Sequence, residues 1–105
     1  MAQFAVHRNK NPHSRSTFPL LVDVQSDLLE ALNTRVVIPL TKAAGLAKKP
    51  LSHLTPALSF DGDNYLLMTP QLAGIARADL GPQAGTLLDQ REKIVAAVDF
   101  LLTGF

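Results

Sequence analysis

ALSFDGDNYLLM, Ala57 to Met68, decides how this chain folds. Two short apolar runs, ALSF and YLLM, flank the polar DGDN. Asp-Gly tolerates the positive φ angles that a tight hairpin turn imposes. The stretch therefore predicts antiparallel strands at Ala57–Phe60 and Tyr65–Met68, joined by a turn over 61–64. Turn formation accounts for both Asp61 and Asp63 without any catalytic role. Upstream, Thr34–Leu40 (TRVVIPL) is rich in β-branched residues and reads as a strand, with Pro39 marking an edge or a bulge. Phe18–Gln25 (FPLLVDVQ) reads as another, entered at Pro19, and Gln3–His7 alternates polar and apolar like a first strand. Downstream, Leu72–Leu80 holds one or two short strands, interrupted at Gly74 and ended by Gly81-Pro82.

The remaining segments divide into loops and one helix. Arg8–Thr17 is polar, contains Pro12, and predicts an exposed loop. Ser26-Asp27 breaks the second strand, so Leu28 and Leu29 leave it in a short turn or helical fragment. Thr41–Pro50 is a loop or a single helical turn bounded by Gly45 and Pro50. Leu87–Leu102 carries apolar residues at 87, 88, 94, 95, 98, 101 and 102, a helical spacing. Thr86 and Asp89 form a capping-box pattern at its start, and Gly104 suits the left-handed position after its last turn. The apolar set is broader than one buried stripe requires, since Val95 and Leu102 lie beside Ile94, Val98 and Leu101. With no alternation of strand and helix, a parallel sheet is disfavoured. The expectation is a mainly β domain spanning 1–105, a small antiparallel barrel over about 1–82 followed by one C-terminal helix over about 87–103.

Composition narrows the function classes. Apolar residues make up 47% of the 105, a globular value. Ten basic residues face nine acidic ones, for a net charge of +1. That balance argues against nucleic acid as the main partner, because phosphate binding needs a basic excess or stripe. Lys42, Lys48 and Lys49 read as a solvated loop. The chain has no cysteine, which removes disulfides, thiolate chemistry and cysteine-based zinc sites. MAQFAVHRNKN lacks the pattern of a signal peptide, and no apolar run approaches the ~20 residues of a membrane span. A cytoplasmic, soluble protein is expected.

A search for chemistry is mostly negative. Phosphate-binding glycine loops and nucleophile elbows are absent, and His7, His13 and His53 have no partner at metal-ligand spacing. No catalytic residue, metal or cofactor is predicted. Asp23 stands inside an apolar strand. Alternation turns it outward to solvent; the other readings are a structural hydrogen bond or a functional surface.

Three stretches occurring in order, LVDVQSDLL (Leu21–Leu29), RVVIPL (Arg35–Leu40) and the helix ending in Gly104-Phe105, resemble the CcdB family. The likeness is strongest at VDVQSD, Val22–Asp27, and weakest over 8–17 and 41–56. The resemblance implies an SH3-like barrel with a C-terminal helix, a homodimer, and a toxin rather than an enzyme. Such toxins bind the A subunit of DNA gyrase and trap the complex of gyrase with cleaved DNA. A cognate CcdA-like antitoxin neutralises the toxin and, together with it, represses the operon, so DNA is met only through gyrase or antitoxin.

By the same resemblance, Thr103, Gly104 and Phe105 carry gyrase poisoning, with Leu102, Asp99, Ser26, Leu28 and Leu29 near the gyrase-facing surface. Leu28 and Leu29 fit the core equally well, and Phe105 could instead cap its own helix or pack across a dimer axis. Arg8, Lys10, Arg15, Lys42, Lys48 and Lys49 fall where an acidic antitoxin segment is expected to dock. The chain departs from the family pattern at Thr103, where a Trp is usual. Two alternatives stay open: an endoribonuclease toxin of the mRNA-interferase type, with His7 and Arg8 as acid–base groups, and a non-toxic homologue that acts only with antitoxin in repression.

Overall fold

The computed structural model describes residues 2–43 and 53–104. Its strands are β1 (Ala5–Asn9), β2 (Leu20–Asp23), β3 (Thr34–Lys42), β4 (Ala57–Phe60), β5 (Asp63–Leu67), β6 (Ala73–Ala76) and β7 (Leu80–Thr86), followed by helix α1 (Arg91–Thr103). They form one antiparallel sheet in the order β4-β5-β3-β2-β1-β7, with β6 attached to β3. The sheet curls into a half-closed barrel, and the expected class, mainly β with one C-terminal helix, holds.

The β4–β5 hairpin is tighter than DGDN suggests. Phe60 pairs with Asp63, so only Asp61 and Gly62 make the turn, with φ of 52° and 83°. Both central residues being left-handed is the geometry that matches the twist of adjoining strands. Asp63 and Asn64 therefore belong to β5.

β3 is the spine of the sheet. Along one edge it pairs with β2 over Val37–Leu40. Along the other it pairs with β6 over Thr34–Val37 and with β5 over Leu40–Lys42. Pro39, which has no N–H to give, lies where the second edge changes partner, and its carbonyl accepts from Met68 N–H. A proline in a central strand is tolerated there because no ladder bond is lost.

Gly81-Pro82 does not end the strands. Both lie inside β7, which runs on to Thr86 along the open edge beside β1. An edge strand can hold a proline whose missing donor would face outward. Gly81 is there because of close approach: a Cβ at that position would stand 2.3 Å from the Arg8 carbonyl oxygen.

The two ends of the curled sheet approach each other near Gly85, where a Cβ would meet the Phe60 ring at 2.8 Å. Gln90 ties the helix start to β4 in the manner of an extra strand. Its Oε1 accepts from Ser59 N–H at 3.2 Å and its Nε2 donates to the Ser59 carbonyl at 2.7 Å. The capping-box expectation changes accordingly. Thr86 Oγ1 accepts from Leu88 N–H ahead of a short 3-10 turn, Leu88–Gln90, whose N-cap position is Leu87, and α1 then starts without a side-chain cap. Gly104 takes the left-handed C-cap at φ 81°, and its N–H donates to the Phe100 carbonyl.

The core gathers Phe4, Val6, Leu20, Val22, Ile38, Leu40, Leu58, Tyr65 and Leu67 from the concave face with Leu87, Ile94 and Ala97 from the helical end. A smaller cluster of Leu21, Val37 and Leu80, backed by Ile75, lies on the other face. Asp23 belongs to that second face but does not meet solvent, which corrects the outward reading. It is fully buried and paired with buried Arg35, Oδ2 to Nε at 2.7 Å, while its Oδ1 accepts from Gln25 N–H. Alternation gave the right face, but that face is covered. Substituting Arg35→Met leaves the Asp23 carboxylate buried without its partner. We expect a loss of about 3–5 kcal/mol in urea unfolding, largely recovered when Asp23 is replaced by Leu in the same chain.

Candidate functional site

Ser26–Leu29 forms a sharp exit from β2. Ser26 Oγ accepts from Leu28 N–H, and a 3-10 turn spans Asp27–Leu29. Polar contacts hold this turn at several points. Gln3 N–H donates to Asp27 Oδ1 at 2.8 Å, and Gln25 Nε2 donates to the Leu29 carbonyl at 3.0 Å. Further along, the Arg77 guanidinium donates to the Glu30 carbonyl and Arg77 N–H to that of Asn33. The apolar side chains of the turn are left outside: Leu28 is 94% exposed and Leu29 50%. Both are thus surface residues, and their core alternative is closed.

Helix α1 buries only Ile94 and Ala97, a narrow stripe three residues apart. Val98 is half-buried beside them. Of the helical apolar positions read from the sequence, Leu88, Val95, Leu101 and Leu102 remain exposed, Leu102 at 74%. Val95, Asp99 and Leu102 follow one another at i, i+4 and i+7 and so share one helix face. A cavity of about 210 Å³ lies between that face and the start of the chain, lined by Gln3, Phe4, Val24, Ile94, Val95, Val98 and Asp99. Gln3, which lines this cavity, also donates to Asp27 in the 26–29 turn, so the turn is tied to one side of the cavity and α1 forms the other. Of the residues named from the sequence, Asp99 lines the cavity, Ser26, Leu28 and Leu29 lie on the tied turn, and Leu102 is exposed about one turn further along α1.

Thr103 Oγ1 donates to the Asp99 carbonyl at 2.6 Å, so its hydroxyl is turned back onto its own helix. Gly104 follows in the exposed C-cap. Phe105 lies outside the described residues, as do Lys48 and Lys49.

The other basic residues are dispersed. Arg8 is exposed on β1, Arg15 is exposed in the Arg8–Thr17 loop, and Lys10 Nζ donates to the Ala78 carbonyl at 3.0 Å. Lys42 stands 3.9 Å from Asp63 in an exposed pair. Of these basic residues Lys10 alone borders a groove of about 620 Å³, whose apolar floor is Leu21, Val37, Pro39 and Ile75 and whose wall includes Pro12 and Phe18. That groove was not legible in the sequence, because its floor comes from three strands and its wall from the loop.

His7 and Arg8 do not form an acid–base pair. His7 is buried with Nδ1 3.0 Å from the Gly81 carbonyl, while Arg8, next along the strand, faces the opposite side. Among the described residues no group of three or more His, Asp or Glu is placed to hold a metal, and no helix is long and apolar enough to cross a membrane.

A family model described as CcdB protein matches residues 3–104. The chain belongs to the CcdB family. CcdB proteins are toxins of toxin–antitoxin pairs that target DNA gyrase, and they act as poisons rather than as enzymes. The family match covers the turn, α1 and Gly104 alike. No signal in the sequence marks the buried Gln25 side chain, which links the 26–29 turn to β3 by accepting from Val36 N–H and donating to the Leu29 carbonyl.

The exposure pattern separates surface from core. Leu28→Ser and Leu102→Ser are expected to change unfolding free energy by no more than about 0.5 kcal/mol. Ile94→Ala should cost about 2–5 kcal/mol in the same urea titration. A large loss from Leu28→Ser would contradict its placement.

Proposed function

We propose that this protein is the gyrase-poisoning toxin of a type II toxin–antitoxin module. It binds the gyrase A subunit and traps gyrase on cleaved DNA. The reading is supported by one observation: Leu28 is almost wholly exposed on a turn clamped through Asp27 to Gln3, which lines a cavity with Val95 and Asp99 of α1. Exposed apolar groups held rigidly are what a protein interface uses as anchors, because little side-chain freedom remains to be lost on binding. Gyrase contacts are assigned to Ser26, Leu28, Leu29, Asp99, Leu102, Thr103, Gly104 and Phe105. The protein is a cytoplasmic homodimer in this reading, with half-barrel and helix as one domain. Support for self-association comes from α1, which leaves Leu101 outside its narrow buried stripe in addition to the face assigned to gyrase. Two copies then present two tails to a two-fold gyrase surface.

The antitoxin reading rests on the groove beside Lys10. An apolar floor rimmed by Lys10, Asn9, Asn11, Gln71 and Asp79 suits an extended peptide that carries an apolar side chain, with an acidic neighbour placed on the Lys10 side, away from Asp79. Arg8, Arg15, Lys42, Lys48 and Lys49 supply longer-range attraction. A non-toxic homologue that serves only antitoxin and operon repression is the second reading. It is favoured by Thr103, a small residue whose hydroxyl is already engaged, where the family pattern has Trp.

Purified protein, and a version lacking residues 103–105, are added to gyrase with ATP and supercoiled plasmid, and linear DNA is counted after denaturation. Linear product is expected from the full chain alone. The truncated chain should keep its unfolding midpoint, since Gly104 is exposed and nothing in the core depends on it. Linear DNA from both chains would overturn the tail assignment. Its absence from both, with antitoxin still bound, would leave the second reading.

A further inference from the structure

Phe4 has a φ of 69°, a left-handed conformation that a bulky residue adopts only when its surroundings impose it. The consequence is visible on both sides of it. Phe4 N–H donates to the Asp23 carbonyl, and the Phe4 carbonyl accepts from Leu87 N–H. Its ring is buried in the core. The reversal at Phe4 swings Gln3 across the exit from β2, where Gln3 N–H reaches Asp27 Oδ1 at 2.8 Å and Gln3 Nε2 reaches the Val24 carbonyl at 3.2 Å. Gln3 and Phe4 also line the small cavity against Val95, Val98 and Asp99 of α1. Residues 3 and 4 are thus a strap with the 26–29 turn on one side and the helix face on the other.

We propose that Asp27 is a positioning residue: by accepting from Gln3 N–H it locks the Leu28 turn to the strap, and through the strap to α1, so that Leu28 and the Val95–Asp99–Leu102 face are held at one spacing for a protein partner. This rests on the gyrase reading above, but Asp27 itself is not assigned a gyrase contact. Its carboxylate is directed at a backbone donor of its own chain, while the neighbouring Leu28 points away into solvent. What matters in this role is an acceptor oxygen at the right distance, not a negative charge. Asparagine keeps that oxygen; alanine removes it.

The test measures the affinity of the full chain for purified gyrase A subunit, comparing the wild type with Asp27→Ala and Asp27→Asn and recording an unfolding midpoint for each. Asp27→Ala is expected to bind about fivefold more weakly, the equivalent of one ordinary hydrogen bond. Asp27→Asn should restore affinity to within about twofold. Amide exchange at Gln3 and Leu28 should quicken in Asp27→Ala but not in Asp27→Asn, with Ile38 unchanged in both. Undiminished affinity of Asp27→Ala would overturn the proposal. So would an Asp27→Asn variant as weak as Asp27→Ala, since charge would then be the active feature. If Asp27→Ala fails to fold, Asp27→Ser, too short to reach Gln3 N–H, carries the same expectation. A wild-type chain that does not bind gyrase A at all would instead overturn the gyrase reading, which the wild-type arm alone decides.

Discussion

The Asp23–Arg35 pair is the contact on which the surrounding architecture depends. Both side chains are fully buried, so neither charge is neutralised by water. Taking them out of solvent is costly and is offset only by good geometry and further hydrogen bonds. Those bonds are what organise the neighbourhood. Asp23 holds Gln25 N–H, Arg35 Nη2 reaches the Gln25 carbonyl, and the Gln25 side chain then spans from Val36 N–H to the Leu29 carbonyl. A buried charge pair in the β2–β3 ladder is thereby connected, bond by bond, to the turn that carries Leu28. The VDVQSD stretch is legible as a motif because nearly every polar member of it has such a bond to satisfy.

The second organising constraint is that β3 serves two partners along one edge. β6 takes its first half and β5 its second, with Pro39 at the change. The sheet cannot then be flat, and its ends are brought round until Gly85 meets Phe60 and Gln90 bonds Ser59. The helix that follows covers the open end with two fully buried residues only, which leaves the rest of its apolar side chains to the outside. An apolar excess on α1 is thus a product of how little core the half-barrel leaves to cover.

Much of the fold was open to local reading. The Asp-Gly turn, the alternation in β1, the β-branched run in β3 and the period of α1 are each set by interactions within a few residues. So is the left-handed Gly104. Readings that failed did so where a distant segment intervened. Gly81-Pro82 reads locally as a stop, yet an edge position lets β7 continue through it. Alternation points Asp23 to the second face, yet that face is covered too. Thr86 reads as a helix cap, yet a 3-10 turn intervenes before α1 and Gln90 bonds Ser59 of β4.

For the site, the residues were nameable but their grouping was not. Ser26, Leu28, Leu29, Asp99 and Leu102 came from likeness to a family, and periodicity alone left Leu28 equally suited to the core. By itself the sequence determined most of the strand and helix inventory, the Asp-Gly turn and the Gly104 cap, because hydrogen bonding and side-chain period act over short range; the tighter pairing of Phe60 with Asp63 came only with the structure. Only the tertiary structure decided that Asp23 is buried against Arg35, that Leu28 is outside, and that Gln3 bonds the turn while lining a cavity against α1. Those outcomes depend on which strands become neighbours, and burial is a property of the neighbours as much as of the residue.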